Sequence, residues 1–515
     1  MPDGCPRFVP LPGTLRFAWL EDVVAAEIPT LVGEGLRLRG MYLFRVARSA
    51  ELELAERATG DTFVQALQTE LLERPFQPAV RVDVAAGTPE EGIDVIVTQL
   101  RRERRCVLDR FRDVFVLTGA LDLRALRDLA TLPQPALRYP SARMACPFDP
   151  TRPIREQVTE RDRLVVFPRD SFEQTIERWL WEAARDPAVE RVALTIYRTS
   201  QASRVIRALA EAARRGIRVE AFVELKARFD ERRNLEWLER LAAAGATVAY
   251  GLPHLKVHAK VGLVERREGD GLQRFAYVGT GNLNWATASA YTDLGLLTAH
   301  PGIADEVACL FDVLFRRRAG LPSFHHLLVA PVNLRQRFLK LIDREIRHAR
   351  AGRGGRIWAK MNGLADTGMV AALYEAAAAR VEIRLVVRSL CTLRPGLPGR
   401  SERVRVVSVL GRYLEHMRIF YFANAGRPEF YLGSADWRTR NLTRRIEAVT
   451  PVYDPHLQDE LIQLLAQDLE RSDAWELHAD GVYRRRRRPA GELVPTLVRP
   501  ERDLRRAPRV PFHRQ

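Results

Sequence analysis

Two stretches of this chain carry the same set of chemically capable side chains. In the first, His258 and Lys260 alternate along an apolar segment, a Gly279-Thr280-Gly281-Asn282 turn follows, and Tyr291 and Asp293 come next. In the second, His416 and Arg418 lie in HMRIFYF, then Gly433-Ser434-Ala435-Asp436, then Arg445 and Glu447. Asn282 to Asp293 spans eleven positions (293 − 282), and so does Asp436 to Glu447 (447 − 436). A neutral imidazole attacks phosphorus well and forms covalent intermediates. A carboxylate on its other nitrogen fixes the tautomer and stabilises the charge that develops. Asp293 and Glu447 are the candidates, one per copy. The pattern reads as two half-sites facing each other around a phosphate.

Phosphoryl transfer spreads negative charge over the transferring oxygens, so cations must surround them. Lys260, Arg418 and Arg445 are the nearest by motif. Arg198, Arg228 and Arg388 fall at or just past apolar strand ends, where open α/β sheets bind ligands, and arginine forks match phosphate edges. The glycines of both turns can bring backbone N–H groups close to an oxyanion. Blander readings stand beside these. A lone strand histidine is more often a satisfied core group, but the repeated His-x-Lys/Arg with its downstream carboxylate weighs against that. His254 and His258 are four apart, a metal spacing on a helix, yet the alternation around them says strand. His325-His326 reads as loop. ELKARFDE, 224–231, is either a solvated turn or part of the cleft. Tyr291 either packs or stacks a purine. Arg484 to Arg488 reads as a solvated run.

The elements that must hold these residues are alternating strands and helices. Apolar strands are expected at 191–198, 217–225 and 246–252, with helices at 205–213 and 234–244, and a helix from Phe172 capped by Asp170 and Ser171. After Leu321 the order restarts, with strands at 356–362, 381–389 and 403–410, a helix at 368–379 and a last helix at about 456–471. Strand ends correspond too: Tyr197-Arg198 to Met361-Asn362, and Val223-Glu224-Leu225 to Val387-Arg388-Ser389. This is one α/β unit duplicated, and two such units put their crevices together. Ahead of them, residues 1 to about 145 read as mixed α/β, with a helix over 16–32, strands at 40–46 and 79–85 and a helix over 90–100. A Pro-rich crossing at 139–153 marks the boundary. The expected organisation is a partial head domain over 1–145, α/β catalytic domains over 146–325 and 326–480, and a basic tail over 481–515.

A net charge of +16 over 515 residues points to a polyanionic partner without choosing among nucleic acid, anionic membrane and polyphosphate. Five scattered cysteines form no metal or disulfide pattern, which makes a reducing cytoplasm the expected location. No apolar run reaches the roughly 18 residues of a spanning helix, and the opening MPDGCPRFVPLPG lacks the apolar core of a signal peptide.

At these residues the chain resembles the polyphosphate kinase family of the histidine-phosphorylating type, itself related to phospholipase D enzymes with their doubled His-x-Lys arrangement. The likeness runs from FVPLPGTLRFAWLEDVV at 8–24 to about Tyr483. It is carried by LTIYRT, VELKARFDE, LKVHAK, GTGNLN with AYTDLGL, AKMN, RYLEHMRIFYF and LGSADWRTRNLTRRIE. It implies a partial α/β head domain followed by two duplicated phospholipase D-like α/β sandwich domains.

The activity implied is reversible transfer of the ATP terminal phosphate onto inorganic polyphosphate, with Mg²⁺, leaving ADP. His258 matches the phosphorylated histidine and His416 the second essential one, which contacts phosphates and acts as acid or base. Tyr291 and Arg388 match nucleotide-contacting positions. Arg198 and Arg228 match the magnesium–phosphate site; having no lone pair to offer, they are expected to hold phosphates that hold the metal. Arg445 and Glu447 match a charged pair supporting the second histidine. The resemblance further implies a homo-oligomer, leaves peripheral membrane association open and gives no specific nucleic acid as partner. Family members carry an N-terminal helical domain and a whole head, so this chain is expected to begin partway into the head. Two readings compete with the kinase: a phospholipase D-like phosphodiesterase, and a catalytically weak polyanion-binding remnant.

Overall fold

The computed structural model describes residues 5–31, 38, 40–49, 77–103, 106–139, 144–197, 203–224, 239–250, 252, 255–315 and 322–486. Arg198 and Arg228, most of ELKARFDE, His254 and the run beyond Arg486 lie outside them. Contacts divide the chain into two compact units, residues 1–54 with 65–140, and residues 55–64 with 141–515.

In the first unit, β1 (Phe8–Pro10) pairs antiparallel with β2 (Phe17–Trp19), and α1 (Leu20–Leu31) follows directly. The expected helix over 16–32 therefore begins later, because Phe17 and Trp19 pair with β1. A separate sheet places β4 (Ala79–Ala85) between β3 (Phe44–Arg48), antiparallel, and β5 (Val114–Leu117), parallel. Ile93, Val97 and Leu100 of α2 (Glu90–Arg101) pack with Val82 and Val84 of β4, the helical and strand periodicities meeting in one core.

The second unit contains both copies of the motif. The first copy builds β6 (Arg163–Phe167), α3 (Arg178–Arg185), β7 (Val189–Ile196), α4 (Arg204–Arg214), β8 (Arg218–Val223), β9 (Thr247–Tyr250), β10 (Lys256–Val257), β11 (Lys260–Glu268), β12 (Gly271–Gly279), α5 (Trp285–Ala290), β13 (Tyr291–Thr298) and α6 (Pro301–Leu314). The second builds β14 (Leu328–Ala330), α7 (Leu334–Arg350), β15 (Arg356–Met361), α8 (Thr367–Ala378), β16 (Glu382–Val387), β17 (Val404–Ser408), β18 (Leu414–Glu415), β19 (Ile419–Phe422), β20 (Glu429–Gly433), α9 (Thr439–Thr443), β21 (Arg445–Val452), α10 (Pro455–Glu470), β22 (Trp475–Leu477) and β23 (Tyr483–Arg485). The expected cap before α3 differs in detail. Ser171 Oγ does accept from the Gln174 amide, but Asp170 instead accepts from the Val166 amide, and a π turn over Glu173–Glu177 precedes the α-helix.

Each copy contributes a mixed sheet, and the two sheets exchange a strand. Among the described residues one sheet runs β18-β13-β12-β11-β7-β8-β9, with β6 also on β13. The other runs β10-β21-β20-β19-β15-β16-β17-β22-β23, with β14 also on β21. So β10 of the first copy lies parallel to β21 of the second, and β18 of the second lies parallel to β13 of the first. The cores are shared accordingly. Leu164, Val166, Leu294 and Leu296 pack with Trp358, Tyr421, Phe430 and α10 residues, and Val257 and Val261 pack with Ile446 and Ala448. Burial on both faces explains the largely apolar run at 191–196, whereas β16 carries Glu382 and Arg384 partly exposed along one face.

Candidate active site

The exchanged strands set the register of the site. Beside β21, Lys256 lies opposite Arg445 and Val257 opposite Ile446, so the next residue, His258, comes level with Glu447. Beside β13, Leu414 lies opposite Tyr291 and Glu415 opposite Thr292, so His416 comes level with Asp293. The alternation that suggested one strand through His258 is interrupted there: the amides of His258 and Ala259 both bond the Ile446 carbonyl, at 2.8 and 2.9 Å, and the chain then passes into β11. His416 sits in the corresponding break between β18 and β19.

Each histidine consequently takes its carboxylate from the other copy. His258 Nδ1 is 2.9 Å from Glu447 Oε2, and His416 Nδ1 is 2.8 Å from Asp293 Oδ1. The resemblance assigned Glu447 to the second histidine; the strand exchange puts it on the first instead. Both carboxylates are buried, and the two rings keep 13% and 14% of their side-chain surface exposed. With Nδ1 occupied, Nε2 is the nitrogen left to act on a ligand at His258; at His416 it lies 3.1 Å from an Arg418 guanidinium nitrogen.

Hydroxyls on the glycine turns complete each pair. Thr280 Oγ1 donates to Asp293 Oδ1 at 2.6 Å, and Ser434 Oγ donates to Glu447 Oε2. Both hydroxyls lie thirteen residues before their carboxylate (293 − 280; 447 − 434), a shared offset through which the sequence could have disclosed them. The turns were expected to offer backbone N–H groups to an oxyanion. In each turn one amide is taken, Thr280 by the Leu294 carbonyl and Ser434 by the Ala448 carbonyl, and the glycines also make room. A Cβ on Gly281 would lie 2.0 Å from Asp293 Oδ2, and one on Gly433 would lie 2.2 Å from the Ala448 carbonyl.

Cations crowd the two pairs. Arg418 is buried; it bonds Asp436 at 3.2 Å, the Thr280 carbonyl at 3.1 Å and the His416 carbonyl at 2.8 Å, with its guanidinium against the His416 ring. Lys260 donates to the His258 carbonyl and lies 5.2 Å from the centroid of the Tyr197 ring, which stands edge-on to His258 at 5.6 Å. Arg445 approaches Glu447 at 3.7 Å. Tyr291 lies 5.3 Å from the His416 ring. One guanidinium nitrogen of Arg388 is buried without an acceptor. The described candidates therefore surround the two pairs, and Thr280, Ser434, Asn441 and Tyr197 join them.

The electrostatics favour neutral imidazoles. Burial, then Lys260, Arg445 and Arg418, hold His258 well below the usual histidine range. Burial and Arg418 lower His416 against the pull of Asp293. Burial brings Lys260 down to about 7, with Glu447 opposing and Arg418 and Arg445 adding to the shift. Asp436 stays low despite burial because Arg418 and the Asn362 amide hold its charge. Behind His416, Glu415 accepts from Lys360 at 2.6 Å and Thr292 at 2.8 Å, while Lys360 also bonds Asp468.

Family profiles match nearly the whole chain: Polyphosphate kinase middle domain over residues 1–129, Polyphosphate kinase C-terminal domain 1 over 153–319, and Polyphosphate kinase C-terminal domain 2 over 327–494. The chain belongs to the polyphosphate kinase family. It is 40% identical over 528 residues to a polyphosphate kinase of Thermosynechococcus vestitus, covering 96% of this chain and 71% of that one. With a polyphosphate kinase of Synechocystis the identity is 40% over 520 residues, covering 95% and 70%. The crystal structure of polyphosphate kinase from Porphyromonas gingivalis superposes with a TM-score of 0.79 at 32% identity, covering 96% of this chain and 72% of that one. That structure carries the same duplicated mixed α/β architecture at family-level identity.

Proposed function

We propose that this chain is an ATP:polyphosphate phosphotransferase working through a phosphohistidine, with catalytic domains at 146–325 and 326–480. The carrying observation is the crossed pair His258–Glu447: a neutral ring, anchored through Nδ1, with Lys260, Arg445 and Arg418 as the cations acting on it. In the forward step the Nε2 lone pair attacks the γ-phosphorus of ATP, an N–P bond forms, the bond to the β,γ-bridging oxygen breaks and ADP departs. Glu447 keeps the Nδ1 proton in place and balances the charge on the ring. In the second step a terminal oxygen of polyphosphate attacks the same phosphorus and the N–P bond breaks. His258 returns neutral, and the polymer is one unit longer.

His416, held by Asp293, serves as acid or base, and Arg418 and Arg445 receive the transferring oxygens. Arg388, with an idle buried donor, and Tyr291 bind the nucleotide. No group of three or more His, Cys, Asp or Glu among the described residues could hold a metal ion. Glu447 and Asp436 are engaged by protein donors and Asp293 keeps one idle oxygen; a single free carboxylate oxygen does not make a magnesium site, and we assign Mg²⁺ to the nucleotide phosphates as part of the substrate. No helix among the described residues is long and apolar enough to cross a membrane.

The test is incubation with γ-labelled ATP. The expected result is acid-labile, base-stable label that is lost in His258→Ala, together with acid-insoluble polyphosphate. Label in neither fraction, or cleavage of a phosphodiester without labelling, overturns the kinase.

A further inference from the structure

The two half-sites are nearly equivalent, yet the proposed mechanism asks different things of their histidines. Positions 154 apart correspond: Thr280 and Ser434, Thr287 and Asn441, Tyr291 and Arg445, Asp293 and Glu447. On each side a turn hydroxyl and a histidine Nδ1 converge on one carboxylate oxygen. The sides part at the other oxygen. Asn441, in α9 and 1% exposed, donates its amide to Glu447 Oε1 at 2.6 Å. Asp293 Oδ2 is buried with no hydrogen-bond partner, and Thr287 holds the sequence position that corresponds to Asn441.

We infer that Asn441 determines which histidine takes the phosphoryl group, by keeping Glu447 charged and fixed beneath His258 while Asp293 is left with an idle oxygen beneath His416. The inference rests on the phosphohistidine reading above. A phosphoryl group on Nε2 leaves Nδ1–H as the ring's remaining polar contact, and its charge needs a carboxylate that stays ionised. Glu447 is fully buried, and burial pushes its pKa up against Lys260, Arg445, the Ser434 hydroxyl and Arg418; the Asn441 amide adds a donor to the second oxygen. Ser434 and His258 occupy Oε2, and Asn441 is the donor to Oε1. Asp293 has a bare second oxygen, so its carboxylate is held beneath His416 through one oxygen only, a looser support than the one Glu447 gives the ring that carries the phosphoryl group. Asn441 is thus a positioning residue acting through Glu447.

The experiment is single-turnover labelling with γ-labelled ATP across pH, with the labelled histidine located by peptide mapping. Asn441→Leu is expected to slow labelling of His258 roughly tenfold to a hundredfold and to move its acid limb to higher pH, because Glu447 then takes up a proton more readily. Asn441→Thr copies the other half-site and gives the same signature if the leucine variant melts early. The exchange Asn441→Thr with Thr287→Asn is expected to move label onto His416. Labelling of His258 in Asn441→Thr at the normal rate and pH profile overturns the inference, as does an equal loss at all pH values with the limb unmoved. A parent enzyme that takes no label on His258 overturns the kinase reading instead.

Discussion

Lys260 holds its ammonium 5.2 Å from the centroid of the Tyr197 ring, and Tyr197 in turn stands edge-on to His258 at 5.6 Å. Lysine, aromatic ring and imidazole form one packed group in which the cation is nearly dry. Burial brings the lysine to about 7 from 10.5, so the free enzyme loses this positive charge near neutrality. In the proposed reaction kcat/KM should fall on the basic side of pH 7. The limb for kcat should lie higher, because bound phosphates return the proton. Lys260→Arg should remove the limb near 7. Between about 7 and 10.5 the unfolded chain holds the extra proton, so stability should rise with pH through that window. Denaturation midpoints measured from pH 6.5 to 10, for parent and Lys260→Met, check the sign.

The two imidazoles give the opposite limb. Both bind protons less readily than a free histidine at 6.5. Below about 6.5 the unfolded chain takes up protons first, and stability should decline as pH falls. Thermal midpoints from pH 7 to 5 should fall less steeply in His258→Gln than in the parent. An equal slope would mean that His258 is charged in the folded state.

Much of this architecture was legible in the sequence. The repeat, the strands expected at 191–198 and 381–389, which end two residues earlier at Ile196 and Val387, and the eleven-residue offsets are each written locally, in apolar runs and turn residues. The crossing of partners was not legible. Nothing in LKVHAK says that Lys256 will lie beside Arg445, because that pairing joins segments 189 residues apart (445 − 256) and is decided by sheet completion. The glycines were read for their backbone donors; the room they leave for neighbouring groups was not legible with them. Position 281 is adjacent to Asp293 only in the folded chain.

Gly281 tests that close approach. A methyl group there would meet Asp293 Oδ2 at 2.0 Å, inside any allowed contact. Gly281→Ala should displace the carboxylate from His416 while the sheet persists. Turnover should drop roughly a hundredfold, the scale of an ångström misplacement at a reacting group. Unchanged far-UV circular dichroism with a lower kcat is the expected pair of readings.

Arg418 and Asp436 form a buried ion pair, both nearly inaccessible. Removing one partner leaves the other charge uncompensated, so Arg418→Met should destabilise by about 3–5 kcal/mol. The double variant with Asp436→Leu should recover much of that loss while remaining inactive. Chemical denaturation of the three proteins gives the coupling directly.

Lys360 poses the same question one layer back from His416. Its ammonium is shared between Glu415 at 2.6 Å and Asp468, and Glu415 immediately precedes His416 while accepting from Thr292 beside Asp293. Burial works against the charge on Lys360, but the two carboxylates outweigh it and hold the proton on. Lys360→Met would leave Glu415 and Asp468 buried together without that cation, and each would resist ionising while the other is charged. Both are ionised in the unfolded chain at pH 8, so the variant should lose about 3–5 kcal/mol there. Protonation of one carboxylate relieves the repulsion, so part of the loss should return by pH 5 as the folded chain takes up the extra proton. Urea titrations at pH 8 and pH 5 decide it: a deficit that does not shrink at the lower pH would mean that Arg471, 3.8 Å from Glu415, already balances the charge alone.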